Sequence, residues 1–312
     1  MTAKDLLAKG EEILEQAGKD SARHESRALY MFMTGLDSAA FLMGKRDPVD
    51  TETCGEFLKL VQRRAAGEPL QHITGEQGFM GLTFRVDPSV LIPRPETELL
   101  VEQALEILES EFGVAGGAQT QAQQDTCRAQ ARTPQNAGGA QTQAQAPKVL
   151  DICTGSGAIG ISVKKHFPEA EVILSDISPA ALVVAAANAE LNGCETEIVR
   201  SDMFNALEGR VFHMILCNPP YISDAEIETL TEEVRDHEPR TALSGGEDGL
   251  DFYRIIAREA AGHLASGGWL LMEIGYDQGE TVPALMADMG DVRVLKDLNG
   301  LDRVVTVHTD SI

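Results

Sequence analysis

Apolar positions along this chain keep two different periods. Over residues 3–66 they recur at helical spacing. Leu6, Leu7, Ile13 and Leu14 form one stripe, Ala28, Leu29, Met31 and Phe32 a second, and Phe57, Leu58, Leu60 and Val61 a third, closed by Gly67. This predicts a small helical domain over residues 1–70, either a partner-binding module or a packing appendage. Ile73-Thr74-Gly75 together with 79–86 reads as a β-hairpin with glycine turns. Val90-Leu91-Ile92 reads as a strand halted by Pro93 and Pro95, after which an acidic pair, Glu96 and Glu98, opens a helix over 97–112. Residues 71–94 are therefore expected to be a linker. From Lys148 onward the period alternates. Strands are expected over 148–153, 171–175, 197–200, 211–216, 268–274, 292–295 and 303–307, and helices over 158–167, 179–192, 250–264 and 278–289. Strands interleaved with helices predict an α/β domain, residues 95–312, built on a mostly parallel sheet covered on both faces.

Residues 114–147 break both periods. Gly, Ala, Gln and Thr dominate, and the octapeptide GGAQTQAQ occurs twice, at 116–123 and at 138–145. So few large apolar side chains cannot offset the entropy of ordering. The segment reads as a disordered insertion with no catalytic part, and a fold tolerates such length because loop closure costs stability slowly.

Composition narrows the function classes. The formal net charge of −23 disfavours tight binding to nucleic acid, which needs clustered Lys and Arg. The five cysteines, Cys54, Cys127, Cys153, Cys194 and Cys217, form no C-x-x-C pair, so neither a zinc site nor a disulfide framework is signalled. Their scatter fits a reducing cytoplasm. No signal peptide and no apolar run of about 18 residues is present, so no membrane span is expected.

The chemistry concentrates where strands end. The apolar run 211–216 leads into Cys217-Asn218-Pro219-Pro220-Tyr221-Ile222. Two prolines offer no N–H to a sheet ladder, and Pro220 pushes Pro219 out of the α region. A stiff extended turn results at a strand's carboxyl end, where open α/β sheets bind ligands. It presents the Asn218 side-chain oxygen and the Pro219 carbonyl as two fixed acceptors, which suit a planar –NH2, with the flat ring of Tyr221 beside them. A proline-terminated strand with a satisfied Asn would look the same in isolation.

Upstream, Asp151-Ile152-Cys153-Thr154-Gly155-Ser156-Gly157 occupies the first strand-to-helix turn, where Gly155 and Gly157 let backbone approach a ligand. With Gly160 it also satisfies G-x-G-x-x-G, a weak signal alone that raises a dinucleotide reading. The next strand ends at Asp176, a position suited to a ribose diol. The following one ends at Ser201-Asp202-Met203-Phe204, where Asp202 can accept from an adenine amino group and Met203 or Phe204 can lie against its ring. Each residue alone is an ordinary turn cap or core filler; their occurrence at successive strand ends carries the inference. Asp151 at the end of the first strand would repel a pyrophosphate and attract the ammonium or sulfonium of S-adenosylmethionine. No His or Lys nearby suggests hydride chemistry. Methyl transfer to an amide nitrogen needs chiefly alignment, and the two acceptors would hold that nitrogen as positive charge develops on it. No metal and no activated Ser or Cys is required.

The chain resembles a known family, the bacterial and organellar release factor glutamine methyltransferases of the HemK type. The resemblance covers most of the chain except 114–147. It rests on Glu68-Pro69-Leu70-Gln71-His72-Ile73-Thr74-Gly75, Leu91-Ile92-Pro93-Arg94-Pro95-Glu96-Thr97-Glu98, the 151–157 loop, Asn218-Pro219-Pro220-Tyr221-Ile222 and Glu238-Pro239-Arg240-Thr241-Ala242-Leu243. The Asn-Pro-Pro-Tyr turn also occurs in adenine-N6 methyltransferases acting on DNA or RNA; the Ile-Pro-Arg-Pro-Glu-Thr-Glu stretch is far more specific. The resemblance implies an N-terminal helical domain that docks the release factor, a hairpin linker and a Rossmann-like seven-stranded S-adenosylmethionine-dependent domain. It also implies N5-methylation of the glutamine in the release factor's Gly-Gly-Gln motif. Carried over residue by residue, it makes Asn218, Pro219, Pro220 and Tyr221 the amide-binding turn. Cys153, Thr154, Gly155, Ser156 and Gly157 become the cofactor loop, Asp176 the ribose acid and Met203 the adenine-side residue. Cys153 stands where the family usually has Gly, Met203 where an aromatic is common, and His72 where Tyr is usual. A cytoplasmic monomer acting on a protein substrate is expected. The competing expectations are an adenine-N6 methyltransferase and a cofactor-binding protein that docks on the termination machinery without catalysis.

Overall fold

The computed structural model describes residues 1–113 and 146–310. The expected insertion therefore lies, except for Ala146 and Pro147, outside the described residues.

The N-terminal stripes fold as helices Ala3–Gln16, Ala22–Thr34, Ser38–Gly44 and Thr51–Ala65. Their starts are set by side-chain caps. Thr2 and Asp5 form a capping box, while Asp37 accepts from the Ala40 N–H and Asp50 from the Thr53 N–H, both at 2.8 Å. The stripes meet in one core containing Leu6, Leu14, Leu29, Phe57 and Val61, all fully buried. Tyr30 sits edge-on to Phe41 and Phe57 at 6.1 and 5.8 Å. Ile73 and Thr74, read above as part of a strand, instead belong to a short helix, Leu70–Thr74. Pro69 starts it with its fixed φ, and Gly75, at φ 74°, ends it in the left-handed region.

The hairpin pairs β1 (Glu76–Phe79) with β2 (Leu82–Arg85) around Met80-Gly81, both at positive φ, the geometry of a type I′ turn. The hairpin is not free-standing. Asn188 accepts from the Arg85 N–H at 2.7 Å and donates to the Arg85 carbonyl at 3.0 Å and the Ser156 carbonyl at 2.8 Å. One side chain thus ties the hairpin to the first turn of the α/β domain. Val90, Leu91 and Ile92 form no strand. Val90 and Ile92 are nevertheless buried, with Val90 packed on Ala181 and Val184, so the run is apolar because it covers a helix face rather than because it joins a sheet.

The sheet has seven strands: β3 (Lys148–Ile152), β4 (Glu171–Asp176), β5 (Glu197–Arg200), β6 (Phe212–Cys217), β7 (Leu264–Glu273), β8 (Gly290–Lys296) and β9 (Asp302–Thr309). They lie in the order β5-β4-β3-β6-β7-β9-β8. β3 to β7 pair in parallel, and β9 inserts antiparallel between β7 and β8. This is the expected α/β class with a seven-stranded Rossmann-like sheet. The chain leaves β3 toward β4 and β5, then returns to β6 on β3's other side. That reversal opens a crevice between the carboxyl ends of β3 and β6. Two cores flank the sheet. One is formed with helices Glu98–Phe112 and Ala158–His166, the other with helix Asp251–Glu259. The described residues include no helix long and apolar enough to cross a membrane.

Candidate active site

A cavity of about 520 Å³ opens at that crevice. Its floor is the loop after β3. Cys153 takes φ 59° and Gly155 φ 54°, so two residues near each other adopt a backbone that favours glycine. A Cβ on Gly155 would meet nothing within 4 Å, so the loop faces open space there. Gly157, at φ 82°, turns inward instead, and a Cβ there would strike Ile161 at 2.6 Å. Cys153, Thr154, Gly155 and Ser156 line the cavity and Gly157 does not.

Asp176 closes β4 and lines the cavity. Its Oδ2 accepts from the Gly155 N–H and its Oδ1 from the Ser178 N–H, both at 2.9 Å. Each oxygen keeps a lone pair for a ligand. Asp202 and Met203 line the wall after β5. Met203 sits at φ 47°, with the Cys153 Sγ 3.9 Å from its Sδ, so the two departures from the family's usual residues touch one another. Phe204 is not at the cavity: it stacks on His263 at 4.8 Å between ring centroids, so of the two ring partners expected for adenine only Met203 is placed for the task.

Asp151 is arranged differently from expectation. Its side chain is fully buried beneath the loop and does not line the cavity. Oδ2 accepts from the Thr154 hydroxyl at 2.5 Å and the Gly160 N–H at 2.9 Å, while Oδ1 has no partner. Its contacts brace the loop from below. Burial pushes the carboxyl up to about 7, with the Thr154 and Gly160 donors opposing and Asp176 adding repulsion. An unfolded Asp releases its proton near 3.8. Between those values the folded state holds a proton that the unfolded chain has lost. The group's contribution is therefore full below about 4 and is lost as pH rises to about 7. Asp151→Asn is expected to remove this loss. The melting temperature of the variant, relative to wild type, should climb between about pH 5 and about pH 8, by an amount worth on the order of 2 kcal/mol once the adjacent helix N-terminus is allowed for. A constant difference across that window would show that Asp151 is ionised throughout.

The turn after β6 forms the remaining side. Asn218 and Pro220 line the cavity; Pro219 is buried and Tyr221 lies behind. The Asn218 Nδ2 donates to the Thr97 hydroxyl at 3.3 Å, and that hydroxyl donates to Glu273 Oε2 at 2.5 Å. The Tyr221 hydroxyl donates to Glu273 Oε1 at 3.3 Å. Burial and the neighbouring Glu273 hold the Tyr221 phenol well above its ordinary range, so it stays protonated. Among the described residues nothing donates to the Asn218 Oδ1, and no backbone N–H reaches the Pro219 carbonyl. Neither expected acceptor is thus engaged by a described donor, but of the two only Asn218 lines the cavity.

Two walls escaped the sequence reading. Ser89, Val90, Leu91, Pro93 and Arg94 line the cavity on one side, and Arg240, Thr241, Ala242 and Ser244 on another. Arg94 pairs with Glu238 at 2.5 Å, joining the Pro-Arg-Pro stretch to the Glu-Pro-Arg stretch, and Glu238 is buried. The isolated Arg between two prolines was the available signal for that bridge. Among the described residues no cluster of His, Cys, Asp and Glu could hold a metal ion.

The family described as PrmC N-terminal domain matches residues 5–75, and the Methyltransferase small domain matches residues 140–247. A release factor glutamine methyltransferase of Geobacter sulfurreducens is 39% identical over 294 residues, covering 94% of this chain and 91% of the relative. One from Koribacter versatilis is 36% identical over 306 residues, covering 98% of each chain, and one from Cereibacter sphaeroides is 39% identical over 312 residues, covering 99% of each. Similar to such relatives along nearly its whole length, the chain belongs to the release factor glutamine methyltransferase family.

Proposed function

We propose that this protein transfers a methyl group from S-adenosylmethionine to the side-chain nitrogen of the glutamine in the Gly-Gly-Gln motif of peptide chain release factors. The observation that carries the reading is the unengaged Asn218 Oδ1 on the wall of the cavity, with the unengaged Pro219 carbonyl next to it in the chain. Pockets of roughly 300–1,000 Å³ suit ligands of this size. The residues fit the cofactor. Gly155 leaves room for close approach, Asp176 keeps lone pairs for the ribose diol, and Asp202 with Met203 would hold the adenine side. Cys153, Thr154, Ser156 and Gly157 complete the loop that would cradle it. When bound, the cofactor supplies an electrophilic methyl on a sulfonium.

The chain's own residues do the remaining work. An amide nitrogen is a poor nucleophile because its lone pair is delocalised into the carbonyl. Asn218 Oδ1 and the Pro219 carbonyl would each accept one N–H, hold the nitrogen in line with the methyl, and favour the positive charge that grows there. Pro220 keeps the turn stiff, and Tyr221 backs it. With the cofactor bound, the amide nitrogen would take the methyl as the methyl–sulfur bond breaks, leaving that bond's electron pair with the sulfur, and would then release its extra proton to solvent.

The division into a helical docking domain (1–70), a hairpin linker (71–94) and a catalytic domain (95–312) is part of the same proposal, with the release factor seated against the first. So are a monomeric state, a cytoplasmic site of action and the absence of nucleic-acid binding, the last supported by the net charge of −23. The adenine-N6 alternative is not favoured, since the relatives covering this chain carry the protein-substrate name. Incubating the protein with S-adenosylmethionine and purified release factor, then sequencing the Gly-Gly-Gln peptide by mass spectrometry, tests the reading. One added methyl on the glutamine is expected. An unmodified peptide, with methyl incorporated into DNA or RNA instead, would replace it.

A further inference from the structure

The turn after β6 can work only if the Asn218 amide keeps its oxygen toward the substrate. Reversed, it would set its own –NH2 against the –NH2 it must grip. Nothing in the turn itself decides between the two orientations, because the ends of a carboxamide are nearly the same size. We infer that Thr97 and Glu273 are positioning residues that set the orientation of the Asn218 amide through a one-way chain of hydrogen bonds. The inference rests on the amide-methylation reading above.

The directions follow from donor and acceptor capacity. A Glu273 carboxylate only accepts. It takes the Tyr221 hydroxyl on Oε1 and the Thr97 hydroxyl on Oε2. Thr97 has one proton, and it is spent on Glu273 at 2.5 Å. Toward Asn218 the Thr97 oxygen can therefore only accept, so the group facing it must be the Nδ2. The Oδ1 is left toward the cavity, which Asn218 and Thr97 both line. Glu273 is 2% exposed and Thr97 4%, so water does not compete for these bonds. Burial pushes the Glu273 carboxyl up, while the hydroxyls of Thr97 and Tyr221 that it accepts and the nearby Arg303 favour its charged form, the form in which it takes both hydroxyls; Glu96 acts the other way. The partners lie 121 and 176 residues apart along the chain, so this alignment exists only in the folded protein. Thr97 also ends the short turn Pro95–Thr97 that opens the Glu98–Phe112 helix, which fixes its own place.

Five proteins test this: wild type, Thr97→Val, Thr97→Ser, Glu273→Gln and the double variant of Thr97→Val and Glu273→Gln. Val keeps the shape of Thr and removes the hydroxyl. Its kcat for release factor methylation is expected to fall about tenfold, the worth of one orienting hydrogen bond, with the dissociation constant of S-adenosylhomocysteine within about twofold of wild type. Ser should restore kcat to within about threefold. Gln at 273 can donate toward Thr97 and reverse the chain, so it should also lower kcat; added to Thr97→Val it should cost nothing further, because the link it acts through is gone. Full kcat in Thr97→Val, a failure of Ser to restore it, a parallel loss of S-adenosylhomocysteine affinity, or additive losses in the double variant would each overturn the inference. A wild type that methylates no release factor would instead overturn the reading on which it rests.

Discussion

Asn218→Ala is expected to lower kcat for release factor methylation by about 10²–10³-fold, the usual cost of removing one group aimed at developing charge. The affinity for S-adenosylhomocysteine should stay within about threefold, because the loop after β3 and the Asp176 carboxylate lie elsewhere in the cavity. The loss falls on kcat because the interaction strengthens only as the nitrogen becomes partly positive. In the ground state a neutral amide gains little from a second acceptor, so KM for the release factor should move far less. The Pro219 carbonyl remains in the variant, which is why activity should not vanish. Single-turnover methylation with saturating cofactor measures the step directly. A variant that keeps more than about a tenth of wild-type kcat would mean that the turn does not polarise the amide.

Most of the frame was legible because it is written in short-range rules. Period-2 and helical apolar spacing, a proline pair that no ladder accepts, and glycines at a strand-to-helix turn each act within a few residues, and the structure places β3 to β9 and their helices close to the expected spans. The same local rules misled at Val90-Leu91-Ile92. An apolar β-branched run looks alike whether it enters a sheet or lies across the face of another element, and here Val90 covers Ala181 and Val184. They misled again at Ile73-Thr74, where five residues between Pro69 and Gly75 are too few to show any period.

What the sequence hid is whatever depends on distant partners. Thr97 reads as a helix starter, yet its hydroxyl stands between Asn218 and Glu273. Arg94 reads as an oddity between prolines, yet it meets Glu238 across 144 positions of the chain. Phe204 reads as a ring for adenine, yet His263, which no local pattern links to it, has taken its face. Asp151 was read correctly as an acid at a strand end. Its direction was not, because the Gly160 N–H that captures it comes from the following helix.

Asp176→Ala should raise the dissociation constant of S-adenosylhomocysteine by about 10²-fold, with a smaller fall in kcat once cofactor is saturating. Two effects combine. The carboxylate braces the loop through the Gly155 and Ser178 N–H groups, and its remaining lone pairs are proposed to take the ribose hydroxyls. Hydrogen bonds to a charged group contribute about 1.5–3 kcal/mol each, and about 1.4 kcal/mol is a factor of ten, so losing even one or two of them accounts for the size of the effect. Asp176→Asn separates the parts. An Asn can accept from only one of the two backbone N–H groups and must set its own –NH2 against the other, so the bracing is damaged while one acceptor survives. Isothermal titration with S-adenosylhomocysteine and with adenine alone distinguishes them. Affinity for adenine should be nearly unchanged in both variants, since Asp202 and Met203 are untouched. If S-adenosylhomocysteine binds Asp176→Ala as tightly as wild type, the carboxylate only shapes the loop, and the ribose must be held by other residues.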